Sequence, residues 1–414
     1  MSGDAGELVE HFFRHESGRL VATLVRRVGL QHLEHVEDSV QAALATALTA
    51  WTAHGTPREP SAWLFQVALR NVLATLRANR RHGELEASAS VESKSPEPTA
   101  TFEAEVSDEL LRMMFVCCAE TIPPESRLVF TLKTLCGFST GEVAARLFTS
   151  EANVHKRLQR ARDALRQLPT ELDSLESLRA RLPSVQGVLY VLFNEGHLSV
   201  SAPRGIRAEL CEEAIRLTSL LAAHPCGAEP STFALLALMH LHAARLNARS
   251  GEPGLLLLEE QDRSTWDVAH LQQGAFWLSK AGQGSVLTRF HVEAGIAAEH
   301  CFAPSFVETN WRAVAALYEV LERIDPSPLH TANRAVAVAQ VDGPAAGLSL
   351  LSAVEPPPTV ERHFMWNAVL ADLCSRAGEV ERARLHRAKA LEAAPSEAIR
   401  ATLERRLGAP SSTP

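Results

Sequence analysis

Residues 137–166, GFSTGEVAARLFTSEANVHKRLQRARDALR, restrict the fold more than any other stretch, because two apolar stripes at helical spacing flank a short polar turn. Val143, Ala144 and Leu147 share one side of a first short helix; Val154, Leu158, Ala161 and Leu165 recur along a second. Stripes joined so closely must be buried against each other, which predicts a helix-turn-helix. Asn153, His155, Lys156, Arg157, Gln159, Arg160 and Arg162 are then left on the outer face, with Glu151 at the start of the helix. Amides and imidazoles can read base edges and cations can hold phosphates, so this face suits DNA. It equally suits a solvated basic surface helix, and the stretch alone leaves both readings open. At the turn, Phe148 stands where glycine is common, which predicts a turn packed by an apolar side chain instead of one relying on positive φ.

The rest of the chain restricts what such a face can do. With 414 residues, 46% of them apolar, it can bury more than one core, yet its formal charge is −8. A protein bound to nucleic acid by charge alone carries a basic excess, so a partner must deliver this chain to DNA and neutralise most of the phosphate. Aromatic residues make up 6%, and alternating β-branched runs are missing while Ala and Leu recur at helical spacing, so the expected fold class is all-α. The seven cysteines form no regular framework and read as buried reduced thiols. The N-terminal segment has no basic region followed by an apolar run, and no stretch reaches the roughly 18 apolar residues a membrane span needs; a cytoplasmic protein without membrane contact is expected.

Residues 83–107 shift to Glu, Ser, Ala and Pro without apolar periodicity and read as a flexible acidic linker. The expected organisation is therefore an N-terminal bundle (1–82), the linker, a helix-turn-helix domain (108–169) and a helical remainder (170–414). Near the C-terminus, taking Phe364 as position 1 of a 34-residue unit places Leu370, Ala371, Gly378, Ala383, Ala390 and Pro395 at TPR positions, although Arg387 stands where an aromatic belongs. Segment 329–353 is a degenerate second copy at best, and a generic helical-hairpin domain remains the alternative.

Three ordered blocks upstream, FFRHESGRLVATLVRRVG, VEDSVQAALATALTAW and PSAWLFQVALRNVLATLRANRR, resemble region 2 of sigma-70-type factors of the extracytoplasmic-function group, and residues 107–168 resemble region 4. LYVLFNEGH, LLLLEEQDRSTWD and the Ala-rich C-terminus are similar to the subgroup with a TPR-containing extension. The resemblance implies a factor that binds RNA polymerase core and directs it to promoters under the control of its own extension. Glu37, Asp38, Gln41 and Leu44 would dock on the clamp helices of the polymerase large subunit. Trp63, Arg70, Asn71, Arg77, Arg80 and Arg81 would engage the −10 element, and Glu151, Asn153, His155, Lys156, Arg157 and Arg160 the −35 element. Leu69, Asn71, Ala74 and Thr75 depart from the basic and acidic residues expected after the Trp, which points to weak promoter opening or an unusual −10 preference. A helical-repeat scaffold that has lost promoter opening is the alternative.

In the extension, Asn194, Glu195, Asp262, Arg263 and Trp266 stand in turns, where polar clusters either cap helices or line a groove for a regulatory protein or ligand. His240 and His242 lie two apart on a helix and face different ways, no G-x-S-x-G or phosphate loop occurs, and Cys211 and Cys226 lack a CxxC partner. No enzyme, cofactor or metal is expected.

Overall fold

The computed structural model describes residues 16–84, 106–166, 174–199, 202, 205–251 and 254–408. Most of the acidic 83–107 segment lies outside the described residues, as does Pro169. The chain divides into two units, one of residues 1–189 with 224–227 and one of 190–223 with 228–414.

In the first unit, α1 (Ser17–Val28), α2 (Leu33–His54) and α3 (Pro60–Glu84) bury Leu24, Val36, Ala43, Leu64, Ala68 and Val72 completely. Four helices follow: α4 (Glu109–Cys117), α5 (Pro124–Leu135), α6 (Thr140–Arg146) and α7 (Glu151–Leu165). Each start is written locally. Asp108 accepts a hydrogen bond from the Leu111 amide, Pro124 occupies the first turn of α5, and Ser139 and Glu142 form a reciprocal capping box. Ser150 accepts from the Asn153 amide at the head of α7.

The two helical groups of this unit are packed together. α1 lies on α4 and α5 so closely that a Cβ at Gly18 would come within 1.9 Å of the Leu135 carbonyl oxygen. Arg26 pairs with Glu109, Arg166 with Glu34 at 2.9 Å, and Arg162 with Glu37 at 3.1 Å.

The second unit begins within α8 (Leu175–His197) and continues through α9 (Ala208–Ala223), α10 (Pro230–Ala243) and α11 (Leu246–Arg249). A short antiparallel ladder of β1 (Ser250–Gly251) and β2 (Gly254–Leu255) is a small exception to the all-α expectation. α12 (Val268–Ala281), α13 (Arg289–Phe302), α14 (Trp311–Ile324), α15 (Pro328–Asp342), α16 (Pro344–Ser352), α17 (Pro358–Glu361), α18 (Phe364–Arg376), α19 (Val380–Glu392) and α20 (Glu397–Arg406) complete it.

Neighbouring helices share successive small cores: Leu238, Leu241, Trp266 and Ala297; then Val292, Ile296, Val314 and Leu321; then Ala335, Leu351, Trp366 and Leu373; finally Ala371, Ala390, Ile399 and Leu403. α18 and α19 turn at Gly378, whose φ of 79° favours glycine, and fully buried Ala390 lets them approach. β2 is fastened to α20 by Thr402, whose hydroxyl accepts from the Leu255 amide at 2.9 Å and donates to the Leu255 carbonyl at 3.1 Å. All seven cysteines are buried thiols outside any disulfide. Among the described residues, no helix is long and apolar enough to cross a membrane.

Candidate nucleic-acid interface

α7 buries Val154, Leu158, Ala161 and Leu165, the stripe read from the sequence, and this fixes the direction of every other side chain on it. His155, Lys156, Gln159 and Arg160 are exposed. Arg157 and Arg162 are not. The Arg157 side chain is 18% exposed and donates to Glu125 on α5 at 2.8 Å, and Arg162 turns the other way to Glu37 on α2. Glu151, exposed at the head of α7, accepts from the Thr140 hydroxyl at 3.1 Å. Asn153 donates its side-chain amide to the Thr149 hydroxyl at 2.8 Å. The outward cationic face is therefore a stripe of His155, Lys156 and Arg160, narrower than the sequence reading, in which Arg157 and Arg162 also faced outward.

The turn between α6 and α7 overturns one expectation. Phe148 has a φ of 50° and is 45% exposed, so the turn does rely on positive φ and its ring is no packed plug. A non-glycine residue pays roughly 1–2 kcal/mol there.

On α2, Asp38 and Gln41 are exposed, and Leu48, 46% exposed, lies further along the same face. Leu44 is 3% exposed and belongs to the bundle core, so it offers no docking surface. Glu37 is engaged within its own chain: Oε1 accepts from the Thr134 hydroxyl at 2.7 Å while Oε2 accepts from Arg162.

On α3, Arg70 and Arg77 are exposed two turns apart, with Asn71 half-buried beside them. Trp63 is half-buried edge-on to Trp51, the ring centroids 5.6 Å apart. Leu69 is 9% exposed, so the departure from a basic residue at this position falls on the core side of the helix. The side chains of Arg80 and Arg81 lie outside the described residues.

In the second unit, Asp262 caps a 3-10 turn (Arg263–Thr265) by accepting from the Ser264 amide at 2.9 Å, and Asp267 caps α12. Glu195 is fully buried and accepts from the Ser199 hydroxyl at 2.6 Å, and the Asn194 side chain is hydrogen-bonded to Tyr190. Capping and core bonding thus account for Asn194, Glu195 and Asp262. Arg263 and Trp266 belong to a different cluster that the sequence reading missed, together with Arg245 and Arg249. The missed signal lay in HLHAARLNAR, where two Arg residues one turn apart follow a strongly apolar helix.

Residues 13–82 match the family described as Sigma-70 region 2, residues 112–165 Sigma-70, region 4, and residues 181–282 a family of unknown function, DUF6596. The chain is 33% identical over 378 residues to the uncharacterized protein R00370 of Rhizobium meliloti, covering 89% of this chain and 88% of that one. It is 28% identical over 179 residues to the ECF RNA polymerase sigma factor SigG of Mycobacterium tuberculosis, covering 38% of this chain and 48% of SigG. No solved structure matches. The sigma-70 regions are domains of a non-enzymatic family.

Proposed function

We propose, for a chain that belongs to one family with R00370 of Rhizobium meliloti and carries sigma-70 regions 2 and 4, the role of an extracytoplasmic-function sigma factor. It binds RNA polymerase core, reads promoter DNA through both regions, and is controlled by its own helical extension, whose paired helices are TPR-like. The observation that carries this reading is the order of the two regions along one chain, with an exposed His155, Lys156 and Arg160 stripe on the second helix of the helix-turn-helix. The −8 charge fits a factor that reaches DNA on a larger partner.

Asp38 and Gln41 are the polymerase-facing residues of this proposal, Arg70 and Arg77 the −10 contacts, and Lys156 and Arg160 the −35 contacts. Purified protein mixed with polymerase core tests it. A stable complex giving promoter-dependent transcripts is expected; a well-folded protein that does not associate with core refutes the role and favours the scaffold reading.

A further inference from the structure

The second unit holds a group of cations that its own acids do not balance. Arg245, just beyond α10, and Arg263 of the 3-10 turn flank the Trp266 indole, and Arg249 at the end of α11, His242 of α10 and His300 of α13 lie within electrostatic reach of Arg245. The Arg263 guanidinium lies 4.5 Å from the centre of that ring and the Arg245 guanidinium 5.8 Å. Arg263 Nη1 is held by the carbonyls of His300 at 2.8 Å and Ala303 at 2.9 Å. Arg249 Nη1 lies 2.6 Å from His197 Nε2. Arg245 is 7% exposed and Trp266 5%, while Arg249, Arg263 and His300 are half-buried.

None of the three guanidinium groups pairs with a carboxylate among the described residues. Nε of Arg245 and of Arg249, Nη2 of Arg263, Nε1 of Trp266 and Nδ1 of His242 and of His300 are all buried without a hydrogen-bond partner. Elsewhere in the same unit pairing is the rule: Arg334 meets Glu319 and Glu322, Arg289 meets Glu293 and Asp325, and Arg405 meets Glu260. Burial, reinforced by Arg245 and Arg263, pushes His300 down to about 4. Burial, then Arg245, lowers Arg249 to about 9. With the imidazoles neutral and only the Cys301 sulfur beside Arg245, the cluster has no negative charge, and one N–H on each guanidinium has no acceptor. Such an arrangement is costly unless something supplies both.

We propose that Arg245, Arg249 and Arg263, with Trp266 as a wall, form the binding site of a small oxyanion, a carboxylate or phosphate compound. Planar guanidiniums present paired N–H donors that match such groups. The orphaned nitrogens are buried while Arg249 and Arg263 are half-buried, so an occupant that satisfies them is a small molecule and not a folded partner. The regulatory meaning of this site rests on the role proposed above for the extension; binding itself does not.

The test uses the full-length chain, with melting temperature and tryptophan fluorescence followed against inorganic phosphate and citrate, and sodium chloride at matched ionic strength as the control. A saturable rise in melting temperature with phosphate or citrate, absent with chloride, is expected. Arg263→Gln, at the half-buried rim, and Arg245→Met should each weaken binding by roughly tenfold or more. Arg245→Met should melt no lower than the parent without anion, because it removes a desolvated cation. No saturable response to either anion, or a parent-like response in both variants, overturns the site. Transcription with and without the anion is read separately: binding with unchanged transcription counts against the regulatory reading and leaves the site standing.

Discussion

Arg162→Gln is the substitution that most sharply probes how the first unit works. In the folded chain Arg162 Nη2 sits 3.1 Å from Glu37 Oε2, with the two side chains 32% and 19% exposed, and Glu37 also accepts from Thr134. An exposed ion pair contributes roughly 0.2–1 kcal/mol, whereas breaking a buried one costs roughly 3–5 kcal/mol. This pair is half-buried and connects two helical groups, so a coupling of about 1.5 kcal/mol is expected from a double-mutant cycle of Arg162→Gln with Glu37→Gln. The sequence reading also puts Glu37 on the polymerase-docking helix, beside Asp38; if Glu37 must leave Arg162 to meet the polymerase, that coupling is what docking must overcome. Removing Arg162 should tighten binding to polymerase core by about tenfold, the factor that 1.4 kcal/mol represents. Adding Glu37→Gln should cancel the gain. Affinity for core is measured by fluorescence anisotropy, with urea unfolding of the same variants supplying the cycle. Unchanged or weaker affinity for core with Arg162→Gln, or a coupling below about 0.3 kcal/mol, refutes the reasoning.

Four further outcomes are expected. Reversing Lys156 and Arg160 to Glu should abolish the upstream promoter footprint and leave core binding intact, because both are exposed and each contact contributes roughly 1–3 kcal/mol; an unchanged footprint would remove α7 from DNA recognition. Gly18→Ala should destabilise the first unit by about 3 kcal/mol or more, since the new Cβ would lie 1.9 Å from the Leu135 carbonyl oxygen; thermal unfolding measures it, and a parent-like melting temperature contradicts the packing of α1 on α5. Burial holds His240 and His300 near 4 against an ordinary 6.5, so the unfolded chain binds more protons between those values; stability of the second unit should fall as pH drops from 6.5 toward 4, and a flat melting profile over that window would count against both buried imidazoles. Residues 1–169 alone should transcribe less than the full chain from a responsive promoter at matched levels, and equal activity would deny the extension any control.

The all-α class and the α7 stripe were legible because both are local. The 3.6-residue period and the Ser139–Glu142 cap need only neighbours in sequence, and the buried faces of α2, α3 and α7 follow from them. The outward direction of His155, Lys156 and Arg160 follows in the same way. What no local pattern contains is the identity of a partner far along the chain. Arg157 looked free until Glu125 was brought to it across 32 residues, and Arg162 until Glu37 arrived across 125. Phe148 illustrates the same division within a turn: an apolar residue predicts packing, but the chain direction between α6 and α7 requires positive φ there and leaves the ring half outside. The Arg245, Arg249 and Arg263 cluster is the extreme case. Arginine is ordinarily a surface residue, and only the folding of the 3-10 turn and α13 onto the end of α10 removes these from water without a carboxylate. Helix positions and buried helix faces are set within a few residues, where period and capping act, whereas the pairing of charges is set by where distant segments meet, because burial and ion pairing depend on that meeting.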